Sequence, residues 1–350
     1  MAWLAFGGGL VVLLLGAEFF VRGASRMAAA VGVPALVIGL TVVAFGTSAP
    51  EAAVGLQSVL QGSSDIGLGN VIGSNIANVL LILGLASLIS PLPVAARVVR
   101  VDVPVMIGFS VLLWTLCLDG ELGRGNGVLL LLLAVIYNVW LVRSARRDAA
   151  RDGHERVGGT KLRSILLVGL GFVAIVVGAG WLVDGSVQLA KAFGLSELVI
   201  GLTVVAIGTS MPEIATSTVA GLRGEQDIAV GNAVGSNVFN ILLVVGLTAT
   251  LSPIPIPVQD SVLNFDFPIM ISVAVACLPI LFIGYRLGRW EGMLFLVYYA
   301  AYTSYIVLDA RQHDALEGFR VAMLYFALPL TAITIAVFVY RTWRRGHSVG

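Results

Sequence analysis

The chain has 350 residues, of which 58% are hydrophobic and only 12% charged, with a mean hydropathy of +0.97; soluble domains carry about a quarter charged residues. Its apolar residues come in blocks of about 20, long enough to cross a hydrocarbon core as helices and too long for the alternating segments of an outer-membrane barrel. Twenty-one Lys and Arg against 20 Asp and Glu leave a net charge of +1, which excludes the basic surface that nucleic acid requires.

Taken in chain order, apolar runs between charged or Pro/Gly-rich breaks predict spans at 3–30, 35–60, 68–90, 102–118, 125–143, 162–192, 197–221, 230–251, 265–285, 290–308 and 321–340. No basic region precedes the first run, so it reads as a retained span and not a cleaved signal. The connection after the fifth span carries Arg143, Arg146, Arg147, Arg151, Arg156, Lys161 and Arg163, and the positive-inside rule makes it cytoplasmic. The N-terminus is then outside, and 17 of the 21 basic residues fall inside; only Arg124, Lys191, Arg311 and Arg320 fall outside. The eleventh span brings Arg341, Arg344 and Arg345 inside as well; the other reading of 321–340 is a tail lying in the interface.

The chain repeats itself. Residues 39–51, GLTVVAFGTSAPE, recur at 201–213 as GLTVVAIGTSMPE; residues 65–75, DIGLGNVIGSN, recur at 227–237 as DIAVGNAVGSN, and Asn78 recurs as Asn240. The repeated unit holds five helices. An odd number turns the second copy over, so the expected fold is an all-α polytopic membrane protein of two inverted five-helix repeats with broken helices at the midplane, plus an eleventh C-terminal helix. The expected divisions are 1–143 for the first repeat, 144–161 for a short basic loop, 162–308 for the second repeat, and 309–350 for the extra helix and basic tail.

Each copy places Thr, Ser, Pro and Glu mid-helix, where polarity is costly. Charge there is expected to face a ligand or a proton inside the protein. Pro50 and Pro212 lack an amide hydrogen and crowd the carbonyls of Gly46 and Gly208, which should open the helices. Together with Thr47, Ser48, Thr209 and Ser210, the acids Glu51 and Glu213 make an all-oxygen set suited to Ca2+. In the second motif, Ser74 lies one turn before Asn78 and Ser236 one turn before Asn240, and these neutral oxygens suit Na+. Gly69, Gly73, Gly231 and Gly235 are expected to permit close helix packing. Glu18 is left open between a satisfied acid and a gate residue; Asp102 and Asp266 read as interfacial helix caps. Cys117 and Cys277 stand alone in apolar runs, and His154, His313 and His347 lie in polar segments, so no soft-metal site and no cofactor are expected.

These motifs resemble the two alpha-repeats of the sodium/calcium exchanger family. The resemblance implies a Ca2+ site formed by Glu51, Glu213, Thr47 and Thr209, the threonines through their carbonyls. It implies Na+ sites at Ala44, Ser48, Ser74, Asn78, Ala206, Ser210, Ser236 and Asn240. It further implies electrogenic exchange by alternating access, with the first and sixth helices sliding over the core. Asn at 240, where some relatives carry Asp, points away from K+ dependence. The basic loop has no EF-hand-like acidic run, so no cytoplasmic Ca2+ regulation is expected. The expected protein is therefore a Na+/Ca2+ antiporter of the inner (plasma) membrane, functional as a monomer, with Na+, Ca2+ and the lipid bilayer as its partners. The alternatives are an H+/Ca2+ exchanger and, remotely, an intramembrane enzyme using the two carboxylates.

Overall fold

A computed structural model describes residues 2–60, 64–151, 161–192, 206–282 and 284–310, with three isolated positions beyond. Apart from two isolated positions, the predicted eleventh helix at 321–340 lies outside the described residues, as does the first part of the seventh span. Within them the helices are α1 (Ala2–Val31), α2 (35–47), α3 (Ala49–Leu60), α4 (64–89), α5 (Val98–Leu116), α6 (Arg124–Arg151), α7 (Lys161–Ala192), α8 (Ala206–Thr209), α9 (Met211–Leu222), α10 (Gln226–Leu251), α11 (Val262–Phe282) and α12 (Arg289–Ala310). Among the described residues nine continuous helical stretches are long and apolar enough to cross a membrane, with α2 and α3 together forming one of them. Helix α6 runs past the predicted end at 143 to Arg151, because Ala145, Arg146, Arg147, Ala149 and Ala150 favour helix and the first glycine comes at Gly153.

The inversion is visible in four two-residue strands. Strands β1 (Leu92–Pro93) and β3 (Ile256–Pro257) precede the fourth helix of each copy, and β2 (Glu121–Leu122) and β4 (Arg286–Leu287) follow it. Strand β1 pairs antiparallel with β4, and β2 with β3. Each copy is thus stitched at both ends to the opposite end of the other, which two copies of the same orientation could not achieve.

Helices α1 and α7 are repeat mates packed against each other in antiparallel fashion through glycines seven residues apart. A Cβ added at Gly16 or Gly23 would stand 2.7 Å from the amide nitrogen of Ile175 or Val168. Gly9 meets Leu182 as closely, and the mates Gly171, Gly178 and Gly185 meet Phe20, Leu13 and Phe6. No real Cβ tolerates such distances, so the backbones touch along the whole seam, as small residues allow within a bilayer.

The core lies between the copies. Every residue of α10 from Ile228 to Phe239 is buried, and the helix crosses α2, whose Leu36 and Leu40 backbones press on Gly231 and Gly235. The expectation of close packing therefore holds for these two glycines. At Gly69 and Gly73 no atom lies within 4 Å of an added Cβ among the described residues; their counterpart neighbours, at 198 and 202, lie outside that set.

Two expectations are corrected. Asp102 and Asp266 are not caps, because the fourth and ninth predicted spans begin at Val98 and Val262, four residues before each Asp, and each Asp closes a π-helical turn inside its helix. Asp102 is fully buried, 3.8 Å from Arg97, and Asp266 accepts a hydrogen bond from Tyr302 at 3.1 Å.

Candidate cation site

Helix α2 stops at Thr47, Ser48 takes a non-helical conformation (φ −79°, ψ 3°), and α3 restarts at Ala49. The second copy stops at Thr209, breaks at Ser210 (φ −86°, ψ 4°) and restarts at Met211. The breaks fall where the prolines predict, but Pro50 and Pro212 do not kink a continuous helix. Each sits in the first turn of a new one, where a missing amide hydrogen costs nothing, and leaves the carbonyl of Gly46 or Gly208 without its usual donor. The restart places Glu51 and Glu213 in a first turn as well. There the free amides and the helix dipole favour a negative charge.

Both acids are sealed from solvent, Glu51 at 0% exposure and Glu213 at 1%, and they lie close enough to repel each other. Neither carboxylate oxygen of either residue has a hydrogen-bond partner among the described residues. The same holds for the hydroxyls of Ser48 and Ser210 and for the amide oxygens of Asn78 and Asn240. These eight buried oxygens form four repeat-related pairs. They lie on the broken helices and on α4 and α10, which pack together at the centre of the molecule. An unsatisfied buried oxygen costs about 1 to 3 kcal/mol, more when charged, and a bound cation would offset that cost for this symmetric set. Ca2+ takes six to eight oxygens.

The remaining predicted ligands are already engaged to different degrees. The Ala44 carbonyl accepts from the Ser48 amide at 3.0 Å and from the Thr47 hydroxyl at 3.4 Å. Ala206 opens α8. Ser74 and Ser236 are buried, and Ser236 lies 3.3 Å from the Thr47 hydroxyl. That hydroxyl donates to Asn232 Oδ1 at 2.9 Å, and the Thr209 hydroxyl donates to Asn70 Oδ1 at 3.4 Å. Each threonine hydroxyl is thus spent as a donor on an asparagine of the opposite repeat. Asn70 and Asn232 are repeat mates in the Gly-Asn-x-x-Gly-Ser-Asn motif to which sequence reasoning gave no role; the signal for them was their identity across the 162-residue shift from 70 to 232. Asn232 also donates to Ser217 at 2.9 Å.

Glu18 lies within α1 and is a satisfied acid. It pairs with Arg22 at 2.7 Å and with Arg223, the residue after α9. Ser25 donates to Glu225 at 2.6 Å. Among the described residues no group of three or more His, Cys, Asp or Glu could hold a metal.

A buried pair of carboxylates, inverted repeats and helices broken at the midplane together define a secondary cation transporter. Residues 1–143 and 163–308 match the family model of the sodium/calcium exchanger protein, and the chain belongs to that family. It is 38% identical over 277 residues to the inner membrane protein YrbG of Escherichia coli, covering 76% of this chain and 84% of that protein. It is 34% identical to the sodium/calcium exchanger MaX1 of Methanosarcina acetivorans, covering 84% and 95%. The solved sodium/calcium exchanger of Methanococcus jannaschii has the same fold, with a TM-score of 0.75 and 31% identity over 87% of this chain and 99% of that one. The protein is a multi-pass membrane cation/Ca2+ antiporter and not an enzyme.

Proposed function

We propose that the protein exchanges Na+ for Ca2+ by alternating access and extrudes Ca2+ from the cytoplasm. On this reading Glu51 and Glu213, with the carbonyls of Thr47 and Thr209, hold Ca2+. Na+ sits among Ala44, Ser48, Ser74, Asn78 and their mates Ala206, Ser210, Ser236 and Asn240. The observation that carries the proposal is the set of eight orphaned oxygens, four charged and four neutral. The charged four suit a divalent ion, and the neutral four give monovalent ions sites that protons would not need. Vesicles loaded with Na+ at clamped pH are expected to take up Ca2+. Uptake driven only by a pH gradient would assign the coupling to H+ and overturn the Na+ reading.

The orientation follows from charge: the N-terminus outside, the 144–161 loop and the C-terminus inside, and residues 1–143 and 162–308 as the two inverted halves of a monomer. The halves are not in equivalent states. Helix α1 packs along α9, whereas among the described residues its mate α7 makes no comparable contact with α3. Glu18, Arg22, Arg223 and Glu225 tie the α1–α9 seam at the basic-loop end, and their repeat mates Gly180, Asp184, Gln61 and Ser63 do not reproduce the charge pattern. The proposed state is closed to the cytoplasm. Reversing the charge with Arg223→Glu should weaken this closure by a few tenths to about 1 kcal/mol, as for other partly exposed pairs. The expected readout is labelling from the cytoplasmic side of a cysteine placed at Val21, buried at the seam, up to about fivefold faster than without the reversal. Cys117 and Cys277 are buried and give little background.

A further inference from the structure

Asparagine is an ambiguous cation ligand, since the same planar group ends in an oxygen on one side and an NH2 on the other. Asn78 and Asn240 serve a cation only if something fixes which side faces it. The fixing groups come from the opposite repeat. Asn78 Nδ2 donates to Asn237 Oδ1 at 2.9 Å, and Asn240 Nδ2 donates to Asn75 Oδ1 at 3.1 Å. All four residues are at most 2% exposed, so no water competes.

The orienting pair is itself oriented. Asn75 Nδ2 donates to the backbone carbonyl of Asn237 at 3.4 Å and faces Met270 Sδ at 3.7 Å. Asn237 Nδ2 faces Met106 Sδ at 3.1 Å. A carbonyl and a thioether only accept, so the amide nitrogens must point to them and the oxygens of Asn75 and Asn237 must point the other way. Each oxygen then claims the NH2 of Asn240 or Asn78. What is left over is Asn78 Oδ1 and Asn240 Oδ1, both buried and without a protein partner.

We propose that Asn75 and Asn237 are positioning residues that hold the amides of Asn240 and Asn78 oxygen-first toward the transported cation, each acting across the repeat interface. Resting on the reading of Asn78 and Asn240 as cation ligands, the proposal explains why the motif ends in a Gly-Ser-Asn whose asparagine is not itself free to coordinate. It also gives the Asn at 240 a consequence: a carboxylate there would have two equivalent oxygens and need no orienting partner.

That difference supplies the test. Cation-dependent thermal stabilisation of the purified full-length protein is titrated with NaCl and, separately, with CaCl2. Asn75→Ala is expected to raise the half-saturating concentration of the ion that Asn240 binds by about tenfold, the worth of one ion–dipole interaction of hydrogen-bond strength. In an Asn240→Asp background the same substitution should change it by less than about twofold, because either carboxylate oxygen can face the ion. The mirror comparison, Asn237→Ala with and without Asn78→Asp, decides the matter if Asn75→Ala fails to fold. Equal losses in both backgrounds, or no loss in either, would overturn the proposal and leave Asn75 a packing residue. If Ca2+ stabilises the unmodified protein and Na+ does not, the Na+ reading fails and the Ca2+ titration still decides the positioning role. Stabilisation by neither ion would sink both.

Discussion

Glu213→Gln is expected to abolish Ca2+ transport while leaving the protein as stable as before or more so, and Glu51→Gln is expected to do the same. Each carboxyl group is buried with both oxygens unpartnered, and the two acids crowd one site, so without a cation they are held there only at a cost, as costly buried charge or by taking up protons. Two unit charges 4 Å apart interact by about 4 kcal/mol at an effective dielectric of 20. Losing one carboxylate should therefore cost Ca2+ affinity at least about a thousandfold, at 1.4 kcal/mol per tenfold. The amide also turns a hydrogen-bond donor toward the cation. For the ion-free protein the sign reverses, since the change removes an ionisable group whose burial is costly and relieves its neighbour. Ca2+ flux in proteoliposomes and melting in chelator therefore move in different directions. Flux retained in both variants, or melting lowered in both, would show that the glutamates support the scaffold and do not bind the ion.

Much of this arrangement is legible in the sequence because the chain states it twice. The repeated GTSxPE places a charge in an apolar run, and the odd number of helices between the copies dictates that the second enters upside down. The candidate ligand pairs, Glu51 with Glu213, Ser48 with Ser210 and Asn78 with Asn240 among them, follow from residue types and the repeat. Less legible is what depends on contacts between copies. Asn75 and Asn237 look like ligands as much as Asn78 and Asn240 do; only the hydrogen bonds across the interface separate the orienting residues from the oriented ones. Asp102 and Asp266 read as caps because a π-helical turn adds residues before them that no periodicity rule anticipates. The pairing of Glu18 with Arg223 joins residues 205 apart in the chain and has no mate in the second copy, so the internal symmetry that exposed the site says nothing about it.

The glycine seam is also written in the sequence, since Gly9, Gly16 and Gly23 recur 162 residues later as Gly171, Gly178 and Gly185. It is hidden among the other glycines of the same apolar helices, and one of those provides its control. Gly178→Leu puts a side chain where the backbone of Leu13 already stands, against an atom that has no rotamer to move away. Overpacking of flexible side chains costs about 1 to 3 kcal/mol; here the helices themselves must separate, so the expected cost is at the top of that range or above it. Gly180→Leu, two residues on, meets nothing within 4 Å among the described residues and faces outward. It should be neutral or stabilise the helix by up to about 1 kcal/mol. Size-exclusion profiles and melting temperatures of the two variants test this directly: Gly178→Leu should be poorly folded or melt far below the unmodified chain, and Gly180→Leu should match it. Similar melting for the two would mean that α1 and α7 are not in backbone contact. A pair joined that tightly has no room to slide internally, so on the proposed exchange reading any movement of α1 over the core carries α7 with it.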